Sequence, residues 1–307
     1  MSDLVTVAIP TYNRKEMLFE CIHSVLKQDY KNIEILISDN ASDDGTYELI
    51  KNIKNKYYYK IINYHKFNEN MGAYANWKYC VDNAAGKYII ILSDDDLLMD
   101  DAITNLVSGM NDDISLVIGH VKYVDNNMNE KVACINKSGE YTFAEFWNSR
   151  FKFLCQDTPS ATLHKTDLYR ECFELYEKTG SSMDVAVDMH MAKNGKVKMI
   201  DKYVTVYRIH EGNDSNNILR CASSQIGFYE KMITLAEDVE QRMVLTDFCI
   251  RIVYSYSVMA IKKIDIYDFI KCLKIIKNNW CNNNVIFCKK ILYLCIGSIL
   301  SKIGISK

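Results

Sequence analysis

The 307-residue sequence has few of the features that mark disulfide-rich or zinc-binding proteins. Proline is scarce, with 2 residues in the chain. The 11 cysteines are scattered without any Cys-x-x-Cys pair. An odd number of cysteines without that spacing argues against both a zinc site and a disulfide framework. We therefore expect reduced, mostly buried thiols, as in a cytoplasmic protein.

Neither sign of charge is in surplus, since 37 Lys and Arg residues stand against 39 Asp and Glu residues, for a formal net charge of -2. A protein that coats nucleic acid needs an excess of basic side chains. We therefore expect no nucleic-acid partner. A small anionic ligand stays compatible with this composition, because it needs only local positive charge.

Long apolar runs are also missing. The longest late run, ILYLCIGSIL at 291–300, is flanked by Lys290 and Lys302 and is well short of the ~20 residues that a spanning helix needs. The start, MSDLVTVAIP, carries an acidic residue and leads into a strand-like run, unlike a signal peptide. We expect a cytoplasmic protein that does not cross the membrane, although the late run could lie on its inner face.

The first 121 residues do contain an alternation of strand and helix patterns. Branched and aromatic runs predict strands at 4–9, 33–38, 57–64, 88–92 and 115–121. Apolar residues at helical spacing predict helices at 14–28, about 72–84 and about 101–110, the first capped by Asn13. This alternation predicts an α/β fold with a largely parallel sheet.

Polar and acidic segments follow three of the predicted strands: PTYNR at 10–14, SDNASDDGT at 38–46 and SDDD at 93–96. Ligands gather beyond the carboxyl ends of parallel strands, so we expect these segments to meet at one edge of the sheet. Carboxylates there suit a divalent cation that lies between the protein and a nucleotide diphosphate, because Mg²⁺ and Mn²⁺ prefer hard oxygen ligands.

Four motifs follow one another between residues 4 and 216: VAIPTYNR, ISDNASDDGT, NENMGAYANWKYCVDNAAGKYIIILSDDD and YRIH. In content and order they resemble the inverting glycosyltransferases of family 2. The resemblance implies the GT-A fold, a Rossmann-like and mostly parallel sheet flanked by helices. It implies a domain over 1–216, with a nucleotide-binding half at 1–121 and an acceptor-binding half at 122–216, before a C-terminal helical region at 217–307.

The resemblance also implies a reaction. It is the metal-dependent, inverting transfer of a sugar from a nucleotide sugar, expected to be a UDP-sugar, to a glycan or lipid-linked glycan acceptor. The implied cofactor is Mn²⁺ or Mg²⁺, and the implied process is bacterial surface-polysaccharide synthesis, of capsule or O-antigen.

Candidate metal ligands follow from the positions of the motifs. Asp95 matches the family's metal-ligating aspartate, and Asp96 and His210 are further candidates for the same ion. For His210, contact with the diphosphate stays open as well. Asp94 matches the position that holds the ribose or assists the metal. Ser93 departs from the family pattern, because many members have an aspartate there.

Candidate nucleotide contacts also follow from the motifs. Asp39 matches the residue that accepts a hydrogen bond from the base, which suits the N3–H of uracil. Arg14 is available to a phosphate. The full set of expected nucleotide-sugar contacts is Pro10, Thr11, Tyr12, Arg14, Asp39, Asn70, Asn76 and Asp94. A packing role for Tyr12, and structural roles for Asn70 and Asn76, stay open.

The catalytic base is the remaining candidate. Inversion needs one carboxylate to take the proton of the acceptor hydroxyl. In GSSMDVAVDMHMAKNGKVKMI, Asp184 matches the family position best, and Asp188 is the runner-up one helical turn later. Met183 replaces a frequent glutamate. An ordinary charge at the start of a helix is the alternative role for Asp184.

Two other functions stay open for the chain as a whole. A nucleotidyltransferase also needs acidic metal ligands at a sheet edge, but PTYNRKE lacks the glycines of a triphosphate loop. A non-catalytic partner in a polysaccharide assembly complex is the second alternative.

The end of the chain carries none of the motifs. Lysines and apolar clusters alternate over 261–280 and 285–307. This pattern serves packing, self-association or contact with an anionic membrane. We expect peripheral, salt-sensitive membrane contact through the residues after about 285, with no spanning helix.

Overall fold

A computed structural model describes residues 2–125, 127–131, 135–155, 158–213, 216–262 and 266–280. The chain divides into two compact units. The first unit comprises Met1–Leu175 and Val187–His210, and the second comprises Tyr176–Ala186 and Glu211–Lys307. The predicted domain borders at 121 and 216 stay predictions.

The first unit is built on one sheet. Its strands are β1 (Val5–Thr11), β2 (Ile33–Asp39), β3 (Ile61–Lys66), β4 (Tyr88–Ile91), β5 (Leu97–Leu98), β6 (Ile114–Val124), β7 (Gly139–Tyr141), β8 (Thr162–Lys165) and β9 (Lys196–Arg208). Their order is β3-β2-β1-β4-β8-β6-β9-β5, and β7 pairs with β9. The first four strands are mutually parallel, whereas β8 runs antiparallel to both of its neighbours. The sheet is therefore parallel over the predicted motifs and mixed beyond them.

The inner parallel strands β1, β2 and β4 are largely apolar because both of their faces are covered. In β1, every residue except Pro10 is buried, and all of β2 is buried. A strand covered on both faces reads as a continuous apolar run and not as an alternation. This is why VTVAI and IEILIS identify the strands so clearly in the sequence.

Helices flank this sheet. Those of the first unit are α1 (Lys15–Leu26), α2 (Thr46–Lys56), α3 (Gly72–Asn83), α4 (Ala102–Ser108), α5 (Phe143–Phe151) and α6 (Thr166–Phe173). Helix α7 (Met183–Lys193) contains the border between the two units. The second unit has α8 (Ile218–Met232), α9 (Val239–Lys262) and α10 (Ile266–Trp280). The predicted α/β class, with helices in the C-terminal part, is confirmed.

Two local predictions are wrong. The strand expected at 57–64 begins only at Ile61, because Tyr57 ends α2 and its carbonyl accepts a hydrogen bond from the Lys60 N–H. Asn13 does not cap α1, whose N-cap is Arg14. Instead, the Asn13 side-chain oxygen accepts from the Asp43 N–H at 2.9 Å, and so joins the loops that follow β1 and β2.

The cysteines in the described part of the chain agree with the expectation of reduced thiols. All seven of them are buried and lie outside any disulfide: Cys21, Cys80, Cys155, Cys172, Cys221, Cys249 and Cys272. Burial raises the pKa of the thiols of Cys80 and Cys249 well above the ordinary value. They are therefore protonated at neutral pH.

The predictions for residues 285–307 lie outside the described residues. Among the residues that are described, one helical stretch, Val239–Ala260 of α9, is long and apolar enough to cross a membrane by length and composition alone. Core helices of soluble proteins meet the same criterion. Within α9, Leu245, Cys249 and Val253 are fully buried, which is the pattern of a packed helix face.

Candidate active site

The carboxyl ends of β1, β2 and β4 lie side by side, because β1 pairs in parallel with both neighbours. Thr11 at the end of β1 is opposite Asp39 at the end of β2. On the other side of β1, the Thr11 hydroxyl donates to Asp94 Oδ2 at 2.7 Å. The structure therefore brings together the three acidic and polar segments that the sequence predicts to meet.

One guanidinium bridges the first two aspartates of the cluster. Arg14 Nη1 lies 2.9 Å from Asp94 Oδ1 and 2.9 Å from Asp95 Oδ2. Both carboxylates are buried, whereas the Arg14 side chain is 30% exposed. Burial raises the pKa of Asp94 to about 6, the Asp95 charge adds to this rise, and Arg14 opposes it. Burial therefore makes ionisation of Asp94 costly, and the Arg14 guanidinium offsets part of that cost.

His210 joins this cluster from the segment after β9. Its Nε2 lies 3.0 Å from Asp95 Oδ2, the same oxygen that Arg14 contacts. Arg208 fixes this position, because its guanidinium donates to the Asp95 carbonyl and pairs with Glu20 of α1. The YRIH motif is thus anchored to the acidic loop by Arg208 and presents His210 to Asp95.

Asp96 points to different partners. Its Oδ2 accepts from the Ser160 hydroxyl at 2.7 Å, and its Oδ1 accepts from the Arg208 N–H at 3.3 Å. Burial raises the pKa of Asp96 to about 8, and the neighbouring Asp95 charge adds to this rise. Asp96 therefore links the acidic loop to the turn at Pro159–Ala161 and to β9.

These contacts test whether the residues fit a divalent cation. In the described ranges, no group of three or more His, Cys, Asp or Glu side chains is arranged to hold a metal by itself. A cation that also binds substrate phosphates needs only one or two protein ligands. Asp95 and His210 fit such a site, because a carboxylate oxygen and an imidazole nitrogen meet there. Asp96 has different partners, because its two oxygens accept from the Ser160 hydroxyl and the Arg208 N–H.

Asp39 lies at the neighbouring strand end and is fully buried. Its Oδ1 accepts from the Ser42 N–H at 2.8 Å, and its Oδ2 accepts from the Tyr64 hydroxyl at 2.6 Å. Burial and this bond to Asp39 raise the pKa of Tyr64 far above its ordinary value. Asp39 is thus an acceptor held in place by two donors. Sequence reasoning missed Tyr64, which the pattern of β3 presents only as a strand residue.

The two asparagines expected near the nucleotide have different surroundings. Asn70 is exposed, and its oxygen accepts from the Asn40 side chain and the Gly72 N–H, both at 2.9 Å, which shapes the start of α3. Asn76 is buried, and its nitrogen donates to the Thr11 carbonyl at 3.2 Å. Within the described residues, the Asn76 side-chain oxygen is buried without a hydrogen-bond partner.

The remaining candidates on the first loop are less enclosed. Pro10 is partly buried near the end of β1. Tyr12, the residue directly after β1, is 44% exposed. A half-exposed aromatic ring beside a polar cluster is not a core residue. The packing alternative for Tyr12 therefore has no support from the burial of its side chain.

The two candidate bases differ in burial and in partner. Asp184 is partly buried in the first turn of α7 and belongs to the second unit. Asp188 belongs to the first unit, is buried, and lies 2.8 Å through Oδ1 from His164 Nε2. The His164 ring also contacts the Tyr169 ring, with centroids 4.4 Å apart. No signal in the sequence connected His164 with Asp188.

The fold is a mixed β-sheet flanked by helices, with carboxylates and a guanidinium at the carboxyl ends of the strands. This arrangement is typical of enzymes that bind nucleotides at that edge. The chain belongs to glycosyl transferase family 2, whose family model matches residues 6–170. The match covers more than half of the sequence. It confirms both the resemblance drawn from the motifs and the expected class of enzyme, a glycosyltransferase.

Several named bacterial proteins are similar to this chain. Abequosyltransferase RfbV of Salmonella typhimurium is 44% identical over 105 residues, which are 34% of this chain and 31% of that protein. A GalNAc(5)-diNAcBac-PP-undecaprenol beta-1,3-glucosyltransferase of Campylobacter jejuni is 32% identical over 116 residues, 38% of this chain and 37% of that protein. The matched stretches thus span about a third of the length of these curated relatives. UDP-Glc:alpha-D-GlcNAc-diphosphoundecaprenol beta-1,3-glucosyltransferase WfaP of Escherichia coli is 25% identical over 215 residues, 70% of this chain and 81% of that protein.

Solved structures share the fold. The crystal structure of S. aureus TarS 1-349 in complex with UDP-GlcNAc has a TM-score of 0.71 at 16% identity, over 90% of this chain and 81% of that chain. The mannosyltransferase PcManGT from Pyrobaculum calidifontis, solved with GDP-Man and Mn2+, has a TM-score of 0.58 at 16% identity, over 98% and 81% of the two chains. At such identities the likeness establishes the architecture alone.

Proposed function

We propose that this protein transfers a sugar from a nucleotide sugar, a UDP-sugar in our expectation, to a glycan or lipid-linked glycan during surface-polysaccharide synthesis. The observation that carries the proposal is the cluster of Arg14, Asp94, Asp95 and His210 at the carboxyl edge of the sheet. Family membership and the names of two relatives, which specify undecaprenol-linked substrates, support it. The name of WfaP also specifies UDP-glucose as donor.

In this proposal Asp95 and His210 hold Mn²⁺ or Mg²⁺ together with the phosphates of the donor. The bound cation supplies positive charge where the diphosphate leaves. Asp94, held by Thr11 and Arg14, faces the ribose or supports the cation. Arg14 offsets part of the negative charge of the two carboxylates. Asp96, which we expected to be a third ligand, serves instead to fix the acidic loop to Ser160 and β9.

The donor base and the first loop complete the binding side of the proposal. Asp39 accepts a hydrogen bond from the N3–H of uracil, and Tyr64 keeps the carboxylate oriented for it. Tyr12, next to Pro10 and Thr11, offers an exposed ring to the nucleotide. Asn70 and Asn76 shape the segment between the first loop and α3, and Asn76 has a buried oxygen available to a donor group.

We assign the base to Asp184, which would take the proton of the acceptor hydroxyl while the nucleotide leaves from the opposite face of the sugar. Asp188 is the weaker candidate, because it is buried and engaged with His164. A carboxylate in such a contact is not exposed to an acceptor. Asp188 therefore serves to hold α7 against β8.

The experiment that tests the function is donor turnover. The purified chain is incubated with a panel of nucleotide sugars and Mn²⁺, Mg²⁺ or EDTA, and nucleotide diphosphate release is measured. We expect metal-dependent release from one class of donor. In a second incubation the chain is given a nucleoside triphosphate and a sugar phosphate. Release of pyrophosphate there would identify a nucleotidyltransferase. Absence of turnover with every donor, together with binding to other proteins of a polysaccharide assembly complex, would favour a non-catalytic role.

A cytoplasmic location, with peripheral contact to the inner face of the membrane or self-association through the C-terminal helices, stays part of the proposal. Lipid-linked acceptors are presented at a membrane surface, so an enzyme that uses them benefits from lying there. Flotation of the full chain and of a chain ending near residue 284 with anionic liposomes tests the contribution of the tail. Equal recovery in the soluble fraction at low salt would remove the membrane role of the tail.

A further inference from the structure

One surface of the first unit, outside the candidate site, combines tyrosines with lysines. Between Glu48 and Glu69 the sequence has five lysines and four tyrosines but no acidic residue. The chain as a whole has a formal net charge of -2. The positive charge of this segment is therefore a local feature, and it coincides with helix α2 and the turn that leads into β3.

Helix α2 exposes one of its faces along its length. Tyr47, Lys51 and Lys54 follow one another at helical spacing and are exposed, whereas Ile50 and Ile53 on the other face are buried. The next turn adds further tyrosines and lysines. We define the tyrosine–lysine patch as Tyr47, Lys51, Lys54, Lys56, Tyr58, Tyr59 and Lys60.

The tyrosines of the patch are unusually open to solvent. Tyr58 is 84% exposed and Tyr59 is 66% exposed, and their ring centroids are 5.7 Å apart at a right angle. Ile61, directly after Lys60 in the chain, is also exposed. Contiguous exposed apolar side chains on a folded protein mark an interaction surface. This surface therefore needs a partner that accepts rings.

The lysines of the patch have no acidic partner. Across the described ranges, no carboxylate pairs with Lys51, Lys54 or Lys56. Lys56 Nζ lies 5.3 Å from the Tyr57 ring centroid, and Lys60 Nζ lies 5.9 Å from the Tyr59 ring centroid. Cation–π contacts leave the ammonium charge uncompensated. The partner must therefore supply negative charge as well as apolar surface.

We propose that the tyrosine–lysine patch is a docking surface for a bilayer of anionic phospholipid. A tyrosine ring is apolar at its body and polar at its tip, which suits the boundary between acyl chains and headgroups. Lysine side chains extend their ammonium groups to anionic headgroups while their stems stay on apolar surface. An exposed face along the whole of α2 matches a flat partner.

This placement has a geometric consequence. Helix α2 begins at Thr46, directly after the loop that follows Asp39 at the end of β2, and ends shortly before the start of β3 at the opposite edge of the sheet. A membrane along α2 would therefore border the candidate site at one flank. Delivery of a lipid-linked acceptor from this membrane to the site would rest on the proposed function. Binding of the patch to the bilayer does not.

The test is flotation of the full chain with vesicles of phosphatidylglycerol and phosphatidylcholine, and with vesicles of phosphatidylcholine alone. We expect binding to the anionic vesicles only, weakened by high salt. The double variant Lys51→Glu, Lys54→Glu should bind at least about tenfold more weakly, because it reverses charge on the docking face. Tyr58→Ser with Tyr59→Ser should weaken binding about threefold, because it removes the rings.

The matched control is Lys202→Glu with Lys231→Glu, which makes the same change in net charge at exposed lysines elsewhere. It should float like the unchanged chain. Equal weakening of the control and the patch variants would overturn the proposal, as would unchanged binding of the patch variants. Failure of the unchanged chain to bind anionic vesicles at low salt would overturn it too. Circular dichroism of each variant verifies folding, and the sedimentation coefficient separates membrane docking from self-association.

Discussion

Two aspartate–histidine contacts in the first unit have nearly the same geometry and different surroundings. Asp95 and His210 are 3.0 Å apart, and Asp188 and His164 are 2.8 Å apart. The first pair lies beside the partly exposed Arg14 at the strand ends. The second lies between β8 and α7, with the His164 side chain 1% exposed. In our proposal, position relative to the strand ends separates the contact that faces a ligand from the contact that holds the core.

The surroundings also differ in electrical character. Asp95 has two carboxylate neighbours along the chain, and their pKa values are raised to about 6 and about 8 mainly by burial. Burial therefore disfavours ionisation of these carboxyl groups, and a bound cation would lower that cost. Asp188 has His164 as a partner, and the His164 ring contacts the Tyr169 ring. The comparison predicts that substitutions at the first pair affect catalysis and that substitutions at the second affect stability.

The largest effect is expected for Asp95→Asn. The amide keeps the volume of the side chain but removes its charge, so we expect turnover to fall by about a thousandfold or more with the fold intact. Nucleotide diphosphate release with and without EDTA measures this. Full activity of the variant, or undiminished activity of the unchanged chain in EDTA, would contradict the metal role of Asp95.

The second prediction separates the two candidate bases. Asp184→Asn should keep its affinity for the nucleotide diphosphate and lose about a hundredfold or more in turnover, because a base acts on the acceptor proton. Asp188→Asn should instead lower the free energy of unfolding by about 1 to 3 kcal/mol, because it disturbs a buried hydrogen bond to His164.

Denaturant unfolding and single-turnover kinetics of both variants test this pair. A folded but inactive Asp188→Asn, together with an active Asp184→Asn, would show that the base is Asp188. The assignment would then move by one turn of α7, and the proposed contrast between the two aspartate–histidine contacts would not hold.

A third and smaller effect concerns the base of the nucleotide. Asp39→Ala should weaken UDP binding by about 1.5 to 3 kcal/mol, the range for a hydrogen bond to a charged group. Tyr64→Phe should weaken it by about 0.5 to 1.5 kcal/mol, because the carboxylate loses one of its two donors. Calorimetric titration with UDP and GDP measures both. Equal affinity of the unchanged chain for the two nucleotides would argue against uracil recognition by Asp39.

The smallest effect on turnover is expected for Asp96→Asn, which should retain activity within about tenfold because an amide can still bond to Ser160 and Arg208. The main effect of this substitution is expected in the pH dependence of the free energy of unfolding. The folded-state pKa of Asp96, about 8, is above its ordinary value, so the folded protein binds more protons than the unfolded chain between these values. The free energy of unfolding of the metal-free protein should therefore fall as the pH rises through this window. Asp96→Asn should lack this part of the pH dependence, and an unchanged pH dependence would argue against the assignment.

The sequence identified β1, β2 and β4 and their polar ends because both signals are local: an apolar run, and acids directly after it. Residues Tyr64 and Ser160 were missed, because their contacts with Asp39 and Asp96 depend on strand register and on a turn far along the chain. The same holds for His164 and Asp188, 24 residues apart. Local pattern therefore located the candidate site, whereas the different partners of Asp95 and Asp96 follow from tertiary structure.

We propose that Asp95 and His210, and not Asp96, hold a divalent cation together with a nucleoside diphosphate. Electron paramagnetic resonance of Mn²⁺ tests it directly, because the signal of the free aquo ion falls as the ion binds to protein. With UDP present, the unchanged chain and Asp96→Asn should deplete this signal beyond the depletion by UDP alone, whereas Asp95→Asn and His210→Ala should not. Equal depletion by Asp95→Asn, or loss of depletion in Asp96→Asn alone, would contradict the account.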